Sequence, residues 1–69
     1  MTDIALTVNG EARELPAATT LAEVVAQACA APTGVAAAVN EAVVPRSSWG
    51  ATVLGTGDRV EILTAVQGG

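Results

Sequence analysis

The group most able to do chemistry in this chain is its own end. The sequence closes on Ala65-Val66-Gln67-Gly68-Gly69, and the final two residues carry no side chain. Glycine permits close backbone approach and unusual φ/ψ, so a carboxylate on Gly69 is a slender group that can thread into a narrow active site. A carboxylate is a poor electrophile until an enzyme attaches AMP to it, after which the mixed anhydride has a good leaving group. A sulfur donor can displace the AMP and leave a C-terminal thiocarboxylate, which is a carried nucleophile. None of these steps needs a side chain from the carrier. A plainer reading, a frayed glycine-rich end, is also open, because termini are commonly loose.

The other side chains offer little chemistry. The 69 residues include no His and no Lys, which removes imidazole acid–base catalysis and Schiff-base formation. It also removes the lysine that a biotinyl or lipoyl carrier modifies. Cys29 is the sole cysteine; it can neither close an internal disulfide nor supply a zinc or iron–sulfur site alone. Among alanines, it reads as a small packed residue. Gly55 and Gly57 are too sparse for a phosphate-binding loop. The chain is therefore expected to be no enzyme by itself and to bind no metal or cofactor.

Charge and hydropathy narrow the partners. Three arginines against seven acidic residues leave a net charge of −4, whereas nucleic-acid binding needs a basic patch. No apolar run approaches the ~20 residues of a membrane span, and Met1-Thr2-Asp3 lacks the basic start of a signal peptide. Cytoplasmic residence follows as the expectation.

The reactive end needs a body to present it. Hydrophobic residues make up 51% of the chain, chiefly 15 Ala and 10 Val, and Trp49 is the only aromatic residue. In residues 3–8, Ile4, Leu6 and Val8 alternate with other residues, the period of a half-buried strand. Asn9-Gly10 is a strong hairpin signal. A return strand runs from Glu11 to Leu15, where Pro16 should stop it. Thr20-Leu21-Ala22-Glu23 has the form of a capping box. Leu21, Val24, Val25 and Ala28 then make one helical face, with the helix ending near Ala30 because Pro32 disfavours helix at Ala31. The unbroken Val35–Val39 run suggests a strand buried on both faces. Asn40-Glu41 gives a turn and Val43-Val44 a short strand ended by Pro45. Trp49 and Leu54 anchor a loop over residues 46–58. Gly57-Asp58 leads into the last strand, where Val60 and Ile62 share a face.

One helix can cover only one face of a sheet, which makes the class α+β. A ubiquitin-like β-grasp fits best: a mixed sheet of four to five strands, the first and last side by side at its centre, with one helix packed on it. Residues 1–64 form that domain, and residues 65–69 form a flexible Gly-Gly tail able to reach about 20 Å from Thr64 when extended.

Several segments together resemble the ThiS family, the small sulfur carriers of thiamine biosynthesis. They are Val8-Asn9-Gly10, Val39-Asn40-Glu41, and Val43-Val44-Pro45-Arg46-Ser47 followed by Trp49. Gly57-Asp58-Arg59-Val60-Glu61-Ile62 runs on to Thr64-Ala65-Val66-Gln67-Gly68-Gly69. The resemblance spans nearly the whole chain. It implies adenylation of Gly69 by an E1-like enzyme using ATP and magnesium, and conversion to a thiocarboxylate with sulfur from a donor such as a cysteine desulfurase. Delivery to thiazole synthase follows. Val66, Gln67 and Gly68 match the tail that enters the partner. Pro45 as a strand stop, Arg46 as a solvated charge and Trp49 as a core cap are the simpler readings of their segment; Trp49 could instead join a partner surface. The chain departs from the family's usual pattern in its alanines at Ala36 to Ala38 and its lack of lysine. The small subunit of molybdopterin synthase, a ubiquitin-like protein modifier and an interaction module with an inert tail are the alternatives.

Overall fold

Residues 3–28 and 34–64 are described by a computed structural model. The alternating start makes a strand with one buried face: in β1 (Asp3–Val8), Ile4, Leu6 and Val8 are buried while Asp3 and Ala5 are exposed. Asn9 and Gly10 both take positive φ, 51° and 84°, as a type I′ turn requires. The chain returns as β2 (Glu11–Pro16), antiparallel to β1. Pro16 lies inside the register, opposite Asp3, rather than just beyond the strand. An edge strand tolerates the missing donor, and β2 is an edge.

The helix α1 (Leu21–Ala28) begins with the expected reciprocal cap. Glu23 Oε1 accepts from the Thr20 N–H at 2.9 Å, and Thr20 Oγ1 accepts from the Glu23 N–H at 3.3 Å. Leu21, Val24 and Val25 are buried. Ala28, expected on the same face, is exposed. It borders a shallow groove with Val8, Leu15 and Val24, which its single methyl is too short to close. The expected helix end at Ala30, and Cys29, lie outside the described residues.

The remaining strands are β3 (Val35–Val39), β4 (Ala42–Val44) and β5 (Arg59–Thr64), in a mixed five-stranded sheet of order β2-β1-β5-β3-β4. β1 and β5 are parallel, and β3 is antiparallel to both β5 and β4. The expectation that β3 is buried on both faces is corrected: Ala37 is buried, Ala36 is exposed, and Val35 and Val39 are half-buried. With α1 on one face only, side chains on the other meet solvent.

After Pro45 the chain forms a 3₁₀ helix, Arg46–Ala51, where the sequence suggested only loop. It drives Trp49 into the core at 5% exposure. The indole N–H, which needs a partner when buried, donates to the Val44 carbonyl at 2.9 Å. Leu21 N–H donates to Thr52 O, Leu54 N–H donates to Thr19 O, and Thr20 bridges Val53. These bonds tie the segment after the 3₁₀ helix to the start of α1. Strand order, parallel central pair and single-helix cover make this a ubiquitin-like β-grasp fold. No helix among the described residues is long and apolar enough to cross a membrane.

Candidate functional site

β5 is the last described strand before the chain end, and the fold holds it from both sides. Val60 and Ile62 point into the core beneath α1 and are buried. Residues 59, 61 and 63 alternate to the open face and are exposed. At its start, β5 is set by a turn over Gly55–Asp58. There the Asp58 N–H donates to Gly55 O at 3.2 Å, and Asp58 Oδ2 accepts from the Gly55 N–H at 2.8 Å. Gly57 sits at the third position of that turn with φ 91°, a conformation glycine adopts without steric cost.

Two turn asparagines then grip the strand. Asn40, at φ 52° in the β3–β4 turn, donates its N–H to Arg59 O at 2.8 Å and accepts from the Arg59 N–H at 3.0 Å through Oδ1. Its Nδ2 donates to Asp58 Oδ1 at 3.1 Å. Asn9, at φ 51°, donates its N–H to Val60 O and accepts from the Ile62 N–H through Oδ1, both at 2.8 Å. Few residue types other than Gly take this left-handed conformation, and Asn is prominent among them; here its side chain adds bonds that Gly cannot.

β5 ends at Thr64, paired with Val35 at the rim of the sheet. Ala65, Val66, Gln67, Gly68 and Gly69 lie outside the described residues. Next to the rim, the open face is apolar. Leu63, 71% exposed, pairs with Ala36, and Val43, 76% exposed, pairs with Ala38. Ala38 also faces Glu61 across the ladder. Arg59 makes an exposed contact with Glu41 at 3.4 Å, a pair worth little in water.

Nothing on this face resembles a catalytic constellation. An open groove on the same face, about 630 Å³, is lined by Ala5, Thr7, Ala12, Glu14 and Arg59 among others. No group of His, Cys, Asp or Glu among the described residues is arranged to hold a metal ion. The Val-Pro-Arg-Ser segment starts the 3₁₀ helix that seats Trp49, with Arg46 and Ser47 exposed. Sequence reasoning missed the Asn9 and Asn40 grips, though their signal was present as Asn in first position of each two-residue turn. It also missed the Leu63–Val43 patch. Strand alternation puts Leu63 opposite in parity to Val60 and Ile62, and hence on the open face.

Residues 6–69 match the ThiS family. Among solved structures, a similar chain is the thiamine biosynthesis protein ThiS from Geobacter metallireducens. It is 32% identical, the match covers 96% of this chain and 100% of that one, and the TM-score is 0.77. Comparison with curated proteins finds no match.

Proposed function

This chain belongs to the ThiS family, and from that premise we propose that it is a sulfur carrier of thiamine biosynthesis, a protein cosubstrate and not a catalyst. Residues 1–64 are the body and residues 65–69 the tail. The Gly69 carboxylate attacks the α-phosphorus of ATP in an E1-like adenylyltransferase, with magnesium, and pyrophosphate leaves. A sulfur nucleophile, supplied by a donor such as a cysteine desulfurase, displaces AMP and leaves the thiocarboxylate. Thiazole synthase takes the sulfur. Val66, Gln67 and Gly68 occupy the partner's tunnel, where residues with little or no side chain at 68 and 69 let the chain end reach the nucleotide. ATP and magnesium are handled by the partner, and the setting is the cytoplasm.

The observation that carries this reading is the way β5 is built. A strand fixed on both edges runs to the sheet rim beside an exposed apolar patch, and the Gly68-Gly69 end follows five residues beyond Thr64. The body makes a handle, and the chemistry sits at the end of the tail.

The test is to incubate the chain with its E1-like partner, ATP and a sulfur source, and to measure fragment masses. The expected result is one oxygen replaced by sulfur at Gly69, and none when Gly69 is deleted. Fragments are needed because oxidation of Met1, Cys29 or Trp49 changes the intact mass almost equally. An unchanged modification after deletion of Gly69 refutes the mechanism. Recovery of a molybdopterin synthase large subunit and no thiazole synthase in a pull-down refutes the thiamine assignment.

A further inference from the structure

Asn9 does more than turn a hairpin. β1 parts from β5 at Val8, whose register partner is Val60, and the backbone then swings away into β2. β5 continues to Thr64 with β3 still paired on its other edge. On the edge that β1 has left, the Ile62 N–H is taken at 2.8 Å by the Asn9 side chain. The same residue's backbone N–H meets Val60 O at 2.8 Å. The side-chain amide therefore adds a rung that the β1 backbone no longer supplies, two residues before Thr64. Asn40 makes a comparable side-chain bond at Arg59, the opposite end of β5.

We propose that Asn9 is a positioning residue for the end of β5: its side-chain carbonyl fixes a rung on the unzipped edge, two residues before Thr64, where otherwise β3 alone pairs the strand, and so steadies the strand end that a partner must receive. The tether stands on the geometry alone; its use in activation rests on the carrier reading of Gly69. A strand end held in place before docking loses less freedom when a partner receives it.

The test uses the full chain as wild type, Asn9→Gly, Asn9→Asp and Asn40→Gly. Glycine keeps the positive φ and deletes only the side chain. Aspartate keeps both the turn and an acceptor oxygen. Amide exchange at Ile62 should quicken about fivefold to tenfold in Asn9→Gly, the factor for losing one hydrogen bond. It should return to the wild-type rate in Asn9→Asp, and in Asn9→Gly the Ile62 amide should gain more than the Leu6 and Val25 amides, which report global opening. In ATP–pyrophosphate exchange by the E1-like enzyme, Asn9→Gly should raise the KM for the carrier several-fold with kcat unchanged. Asn9→Asp should restore KM, and Asn40→Gly should leave it alone.

Unaltered Ile62 exchange in Asn9→Gly overturns the tether. Faster Ile62 exchange with an unchanged KM, or an equal rise in Asn40→Gly, overturns the positioning role. Wild-type chain that supports no nucleotide exchange refutes the carrier reading and the positioning role with it, while Ile62 exchange still decides the tether.

Discussion

Leu63→Ala separates docking from folding. Leu63 is 71% exposed, so truncating it removes little packed surface, and the domain should lose less than about 0.5 kcal/mol. If the apolar patch beside the tail's root is covered by the activating enzyme, the exposed part of this leucine becomes buried in the complex. Burying a whole leucine side chain is worth about 1.5–3 kcal/mol. The 71% still available corresponds to about 1–2 kcal/mol. At about 1.4 kcal/mol per tenfold, the KM for the carrier should rise about fivefold to thirtyfold, with kcat unchanged because the reacting carboxylate is remote from residue 63. The assay is ATP–pyrophosphate exchange against carrier concentration, run beside urea unfolding followed by fluorescence of Trp49. Val53→Ala is the control. That residue is 62% exposed but lies in the segment bridged to Thr20, at the start of α1. An unchanged KM in Leu63→Ala, or an equal rise in Val53→Ala, refutes the docking argument.

Other outcomes follow from the same geometry. Trp49→Phe removes the indole N–H that donates to the Val44 carbonyl and should cost about 0.5–1.5 kcal/mol in denaturant unfolding; a neutral result would mean that the bond contributes nothing. Thr20→Ala removes the cap acceptor for the Glu23 N–H and should cost about 1 kcal/mol, read as a lower urea midpoint with an unchanged slope. Cys29→Ala should retain sulfur transfer, because the proposed mechanism places sulfur on Gly69; a folded variant that loses transfer would contradict it.

The sequence made the local elements legible where one force acts alone. Alternation set the faces of β1 and β5, Asn9-Gly10 set the first hairpin, and Thr20 with Glu23 set the start of α1. It misled where tertiary context decides. Val35–Val39 is uniformly apolar, so its pattern could not say that one sheet face stays open; only the single helix determines that. The 3₁₀ helix was hidden because Arg46-Ser47-Ser48 has no apolar period, and what holds it in place is Trp49 packed into the core. For the site, composition removed side-chain alternatives and left the chain end as the expected reactive group, which lies outside the described residues. The asparagines showed in the sequence as turn residues, but their partners did not, since each bond joins residues distant in sequence across a sheet whose strand order periodicity does not reveal.

The parallel pairing of β1 with β5 has a consequence for the order of events during synthesis. Residues near position 8 find their central neighbours only when residues near position 60 have been made, and such non-local contacts are closed late and slowly. A nascent chain halted before β5 exposes the apolar faces of β1 and α1 with nothing between β1 and β3. Closure of the sheet therefore records that translation has passed β5, and a partner that reads the finished open face would pass over chains halted before that strand.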